Sequence, residues 1–224
     1  MGEAAARWRA VRDEINAECE RNGRAPDSVT LVVVTKFHPV SLIEELWDAG
    51  ARDFGESRHQ DAVIKAAALE GKDFTWHFVG QVQSNKARAI AKYADVIHSL
   101  DRVSVVEALR TSENRVDGFI ELNLTPDPER GGVANPDEML ALAELISSTD
   151  TIELQGVMAV APLEESPAAA FERVAAWSAA LTQEFPNANQ VSTGMSADWK
   201  EAVAAGATHV RIGTSITGKR PSTG

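Results

Sequence analysis

The chain has 224 residues, a net charge of -11 at neutral pH, and apolar and charged fractions of 44% and 25%, ordinary for a globular protein. The acidic balance argues against nucleic acid or anionic membrane as partner, because no basic excess is available to neutralise phosphates. A lone cysteine, Cys19, rules out an internal disulfide; with no membrane-length apolar run and no signal-peptide core, the expected location is the cytoplasm.

Ala4, Trp8, Val11, Ile15 and Cys19 recur at helical spacing and predict one amphipathic helix within 1–23, ended by Asn22-Gly23. Cys19 lies on its apolar stripe and reads as a small buried hydrophobe. The run Leu31-Val32-Val33-Val34-Thr35 then reads as a buried strand with Lys36 at its C-terminal tip. From there the chain alternates. Strands are expected at 30–35, 52–55, 75–79, 95–99, 117–122, 152–160, 189–193 and 207–212. Helices are expected at 40–49, 57–70, 84–93, 102–112, 136–148, 166–184 and 197–205. Strands alternating with helices imply parallel βαβ units, and eight of them close an α/β barrel of the (β/α)8 TIM type. An open doubly wound sheet is the competing architecture. A single domain over 1–224 is expected, with the helix of 1–23 added to a barrel over 30–218. The chain ends soon after the eighth strand, so no second domain is expected. Segments 124–136, containing Pro126, Pro128, Gly131, Gly132 and Pro136, and 161–167 read as loops on the C-terminal face, where the active sites of such barrels sit.

A lysine at a strand tip with its stem in apolar surroundings is how Schiff-base lysines are made, since desolvation disfavours the ammonium; the bland alternative is a lysine that snorkels to water. The loops after strands seven and eight sharpen the choice. Strand seven runs through Ser192 into Gly194-Met195-Ser196, where Ser196 suits a helix N-cap and Asp198 the first turn. Strand eight runs through Arg211 into Gly213-Thr214-Ser215. Glycines, hydroxyls, free amides and a helix N-terminus make a phosphate cradle, and closure places strand eight beside Lys36. An amine beside a phosphate cradle is what pyridoxal 5'-phosphate (PLP) requires. The plain alternatives are a simple cap at Ser196 and an interior ion-pair partner at Arg211.

Glu56 is expected on the active-site face of strand two. His77, in Trp76-His77-Phe78-Val79-Gly80, is placed with the ligand-facing residues against the reading of a satisfied core histidine. Asn123 ends strand five and suits a ligand hydrogen bond; Met158 is set against plain packing in strand six. Zinc, Walker A, dinucleotide and nucleophile-elbow motifs are absent.

Val34-Thr35-Lys36, Phe54-Gly55-Glu56, Trp76 to Gly80 with Gln83-Ser84-Asn85-Lys86, Gly194-Met195-Ser196-x-Asp198 and Val210-Arg211-Ile212-Gly213-Thr214 together resemble the pyridoxal-phosphate homeostasis proteins, which are similar to the N-terminal barrel of alanine racemase. The resemblance covers nearly the whole chain. It implies a Schiff base on Lys36, phosphate contacts from 192–196 and 213–214, Arg211 lining the cofactor site, and a role in vitamin B6 homeostasis and amino-acid balance. Two departures stand out: Ser57 where the family commonly has Asn, and Glu129-Arg130-Gly131-Gly132 in place of a Lys-x-Gly pattern.

Racemisation needs an acid/base on each face of the substrate carbon. The sole tyrosine, Tyr93, ends the fourth expected helix on the outer ring, so robust racemase activity is not expected. Three readings stay open: a PLP-binding homeostasis or carrier protein with PLP-dependent apoenzymes as acceptors, a PLP enzyme with another substrate, and a sugar-phosphate enzyme using Lys36. A monomer is expected.

Overall fold

The computed structural model describes residues 2–127 and 130–220. Pro128 and Glu129, on which part of the loop reading rests, lie outside the described residues. Eight strands close a parallel barrel in chain order: β1 Thr30–Val34, β2 Asp53–Glu56, β3 Thr75–Phe78, β4 Val96–Leu100, β5 Val116–Leu122, β6 Ile152–Ala159, β7 Gln190–Ser192 and β8 His209–Ile212. Closure is by β8 against β1, with Thr30 opposite His209 and Val33 opposite Ile212. The open-sheet alternative is therefore excluded.

The helices are α1 Glu3–Arg21, α2 Val40–Asp48, α3 His59–Ala68, α4 Ala87–Ile90, α5 Val103–Arg110, α6 Pro136–Ser147, α7 Pro167–Glu184, α8 Trp199–Ala204 and α9 Thr214–Thr217. Caps set the starts of α6 and α7: Asn135 and Ser166 accept from Glu138 N and Ala169 N, and a proline follows each cap. The fourth helix is shorter than its sequence suggests. A 3-10 turn over Ser84–Lys86 precedes it, and the amides of Tyr93 and Ala94 both bond Ile90 O, turning the chain down into β4. The one-turn helix α9 was not foreseen; the sequence expectation ended at the β8 loop.

The apolar core lies between the barrel's outer surface and the helices. Outward-facing Leu31, Val33, Phe54, Trp76, Phe78 and Ile97 join it with Ile43, Leu46, Phe171 and Leu181 of the helices. Helix α1 packs against α2, α8 and α9 and buries Trp8, Ile15 and Cys19, as its spacing requires. Arg7 Nε donates to Ile216 O at 2.7 Å, tying α1 to the segment after β8.

Glu56 also belongs to this outer layer. Strand alternation turns Gly55 inward and Phe54 and Glu56 outward, so the expected active-site orientation of Glu56 is corrected. Its carboxylate meets Lys65 of α3 at 2.6 Å, with both side chains buried. Glu56 Oε1 accepts from the amides of Ser57 and Arg58, which explains why α3 starts at His59 and not at Ser57. Lys65 Nζ donates in addition to Thr35 O at 2.8 Å. One buried pair thus fastens the ends of β1 and β2 to α3. Removing one partner strands a buried charge. Lys65→Met is expected to cost about 3–5 kcal/mol in denaturant unfolding, and Glu56→Gln added to it is expected to recover most of that loss.

Candidate functional site at the barrel mouth

The polypeptide leaves β1 in a turn. Thr35 N donates to Gly55 O at 2.8 Å, and His38 N closes the turn on Thr35 O at 3.1 Å. Phe37 has φ 67°, a left-handed conformation that bulky side chains rarely adopt. Its ring takes the guanidinium of Arg58 at 5.2 Å and that of Arg220 at 4.1 Å from the centroid. Lys36 sits in this turn and is exposed. The desolvated strand tip expected from sequence is corrected: β1 stops at Val34, and the amine stands in solvent on the C-terminal rim. Among the described residues, no hydrogen bond or ion pair engages that amine.

The β7 and β8 loops share this rim. Gly194 has φ 92°, and a Cβ there would lie 2.6 Å from Ala202 Cβ, so only glycine lets the loop fold onto α8. The helix begins at Trp199, later than expected, because the Asp198 carboxylate accepts from Met195 N at 2.6 Å and holds 195–198 in a turn. Ser196 is therefore not the N-cap. The amides of Ser196 and Ala197, and those of Thr214 and Ser215, have no acceptor among the described residues. Met195 and Thr214 are exposed and Gly213 is half-buried. A Cβ on Gly213 would lie 3.4 Å from Val34 O, so the tips of β8 and β1 adjoin and the open amides share a rim with Lys36.

Below the rim the barrel interior is polar. Arg211 is buried; its Nη1 donates to Ser192 Oγ at 2.6 Å and its Nη2 to Ala159 O at 3.0 Å. Burial pulls its pKa down to about 10, which still leaves a cation at neutral pH. Ser192 Oγ also lies 2.8 Å from His98 Nδ1. His98 Nε2 lies 2.9 Å from His77 Nδ1, and His77 Nε2 lies 3.1 Å from Asp53 Oδ1. Burial, followed by the nearby His77 and Arg211, holds His98 well below the usual histidine range. His209 is pushed down to about 3 by burial first. Phe119 stacks on His98 at 4.7 Å.

Several expectations change here. Ser192 is turned into the interior, bonded to Arg211 and His98, and is not part of the exposed loop. His77 points down toward Asp53 at the N-terminal mouth and away from the rim, since the inward face of β3 is filled by that pair. Met158 packs with Val96 and Phe119. Asn123 organises its own loop: Nδ2 donates to Asp127 O, and Oδ1 accepts from Thr125 N and Thr125 Oγ1. Ser57 stays on the rim, with its carbonyl pressed against Gly80. Arg211, Gly194, Met195, Ser196, Gly213 and Thr214 are brought together near Lys36.

Sequence reasoning missed Asp53, His98, His209, Lys65 and Glu121. The inward alternation of β2, β4 and β8 was a usable signal for the first three. Glu121 shares the inward face of β5 with Phe119, and burial followed by the Asp101 charge raises its pKa to about 7. Tyr93 is half-buried in the helix layer, with its hydroxyl 3.2 Å from His59 Nδ1, and burial raises its pKa.

The family model described as alanine racemase, N-terminal domain, matches residues 13–221. A pyridoxal phosphate homeostasis protein of Corynebacterium glutamicum is 39% identical over 223 residues, covering 94% of this chain and 99% of that protein. PipY of Synechococcus elongatus PCC7942, solved with PLP bound, superposes with a TM-score of 0.81 at 34% identity, covering 95% of this chain and 99% of the other. Alanine racemase from Corynebacterium glutamicum shares the fold at a TM-score of 0.70 and 16% identity, with 96% of this chain matching 62% of that one.

The lowered pKa values of His98 and His209 have a consequence for stability. A histidine held at about 3 when folded and at about 6.5 when unfolded contributes stability that is present above 6.5 and lost as pH falls toward 3. Each such group steepens acid destabilisation by up to about 1.4 kcal/mol per pH unit. Glu121 acts with the opposite sign, because its raised pKa favours the fold on the acid side. Urea unfolding from pH 7 to 4 is expected to show a shallower acid loss in His209→Met than in the unchanged protein.

Proposed function

The chain belongs to the pyridoxal phosphate homeostasis proteins, built on the alanine racemase N-terminal domain, and from that membership we propose that it binds PLP at the C-terminal rim with Lys36 as its covalent anchor. The observation that carries this reading is a convergence. An exposed amine without a hydrogen-bond or ion-pair partner among the described residues shares one rim with two loops whose amides are open, and a buried arginine lies below that rim. These residues fit the group. The Ser196, Ala197, Thr214 and Ser215 amides, with the Ser196 and Thr214 hydroxyls, suit a phosphate. Arg211 suits the ring's polar edge, and the Lys36 amine suits the aldehyde. Bound there, PLP would supply an electrophilic aldehyde conjugated to an electron-withdrawing ring.

The chain's own residues do the rest. Lys65, paired with Glu56, holds the Thr35 carbonyl, and Phe37 between two arginines packs the turn, so the backbone at Lys36 is set before any ligand arrives. Gly194 brings the phosphate loop down. The open rim admits water and competing amines, which suits reversible exchange with a cellular pool more than chemistry that must be shielded. A homeostasis role follows: holding PLP, releasing it to apoenzymes in the cytoplasm, and through them influencing amino-acid balance, with the protein acting as a monomer. Racemisation is not expected, since the single tyrosine is held by His59 in the helix layer. A second reading, a PLP enzyme acting on another amino acid, is favoured by one observation: the Glu121 carboxyl, poised near neutrality on the inward face.

Visible spectroscopy with PLP tests this. The protein is expected to develop a band that borohydride fixes covalently, with the added mass on the peptide holding Lys36, whereas Lys36→Ala shows neither. A colourless protein, or equal labelling of Lys36→Ala, would overturn the assignment. Alanine racemisation is expected to stay at background; sustained amino-acid turnover abolished by Glu121→Gln would favour the enzyme reading.

A further inference from the structure

We infer that Asp53, at the N-terminal mouth of the barrel, is a positioning residue for Arg211, acting through one ordered hydrogen-bonded chain, Arg211–Ser192–His98–His77–Asp53. The cofactor half of this inference rests on the functional reading above; the proton order does not.

The order follows from the two ends. A guanidinium only donates. Ser192 Oγ must therefore accept from Arg211 Nη1 at 2.6 Å, and its own proton is free to go to His98 Nδ1 at 2.8 Å. Ser192 is fully buried, and among the described residues its hydroxyl has no other partner. His98 Nδ1 then accepts, so the His98 proton sits on Nε2 and donates to His77 Nδ1 at 2.9 Å. His77 Nδ1 accepts in turn, which leaves its proton on Nε2, directed at Asp53 Oδ1 at 3.1 Å. A carboxylate accepts, so the far end agrees with the near end. Reversing the chain would turn the His77 Nε2 lone pair onto the Asp53 carboxylate and leave the Ser192 hydroxyl proton buried without an acceptor, each a lost hydrogen bond costing about 1–3 kcal/mol, so both ends are needed to hold the order. Each of the four contacts has one donor and one acceptor in a single arrangement.

Neighbours hold this order in place. Phe119 covers the His98 ring, and His209 packs near both rings with centroids at 6.3 Å from His77 and 6.1 Å from His98. His209 Nδ1 bonds Thr208 Oγ1 and stays outside the chain. Arg211 has a second anchor at Ala159 O; in a reversed chain Ser192 Oγ would accept from both Arg211 and His98 with its own proton stranded, a poorer and less directed acceptor for the guanidinium. Asp53 is the one member reachable from solvent, with its side chain 29% exposed, while His77 is 2% exposed. What is required of residue 53 is an acceptor, not a charge. Asparagine keeps that acceptor and alanine removes it.

The experiment uses Asp53→Ala and Asp53→Asn, at the solvent-reachable end where replacement is tolerated best. Histidine ring nitrogens are assigned by 15N NMR without PLP, and PLP affinity is read from the visible band. The unchanged protein and Asp53→Asn are expected to carry Nε2–H protons on both His77 and His98, and to share one affinity. Asp53→Ala is expected to lose the single His98 tautomer and to bind PLP about five- to tenfold more weakly, the effect of one lost directed hydrogen bond. An Nδ1–H proton on His98 in the unchanged protein would overturn the inference. So would Asp53→Ala with tautomers and affinity unchanged, weaker binding with unchanged tautomers, or Asp53→Asn behaving as Asp53→Ala. If the unchanged protein took up no PLP, the functional reading would fall with the cofactor half, and the response of the His98 tautomer would still decide the chain.

Discussion

A guanidinium buried inside the barrel is the constraint around which the other interior residues are arranged. Arg211 cannot shed its charge, and taking a cation out of water costs several kcal/mol even after the protein relaxes. That cost is met by a carbonyl at the end of β6, a hydroxyl at the end of β7, and the negative charges of Glu121 and Asp198 nearby. The same cation acts on its neighbours. Together with burial it keeps His98 and His209 neutral, which is the state a directed hydrogen-bonded chain needs. Replacing buried charges by well-packed apolar residues is often neutral or stabilising. This interior is polar along its axis, and a half-satisfied polar network is worse than none. Its completeness from Arg211 to Asp53 is therefore the feature that lets the fold tolerate it.

Outside the barrel a second buried charge pair sets the rim. Glu56 and Lys65 face away from the interior, yet the lysine's second contact is the carbonyl of Thr35, the residue before Lys36. The turn that follows places Phe37 in a costly left-handed conformation, which persists because its surroundings determine it. Two arginines on its ring and a buried pair beneath it do so. The backbone turn that carries Lys36 is thus an output of packing on the outer side of β2.

Much of this was legible in the chain and some was not, for identifiable reasons. The eight alternating units pointed to the barrel, because apolar runs such as Leu31–Val34 need cover from crossover helices and eight such units suffice for closure; the pairing of β8 with β1 decides against an open sheet. The two glycine-bearing loops after β7 and β8 marked the rim, since Gly194 admits no Cβ. The errors came from faces and ends. Glu56 was placed inward because parity along so short a strand cannot be read without its register. Ser196 was taken as a cap because the competing carboxylate of Asp198 acts back across the turn. Ser192 and His77 were read as rim residues because their partners, His98 and Asp53, are distant in sequence and only closure brings them together. Lys36 was expected to be desolvated because the apolar run before it hides the point where β1 stops.

That last difference bears on what kind of protein this is. A lysine sunk at a strand tip would gain reactivity from desolvation and would need a closed site to keep it. An exposed lysine on a preset turn gains little that way. What it would bring to the proposed site is accessibility beside a pair of loops with open amides, which would carry affinity for a phosphate independently of a covalent link. On the proposed assignment, PLP held there would stay in contact with bulk water, with affinity resting on the loops and reversibility on the open rim. A barrel that puts its most strongly held charges inside and an exposed amine on its rim separates those two requirements, which is the arrangement the proposed cofactor reservoir would need and a shielded catalyst would not.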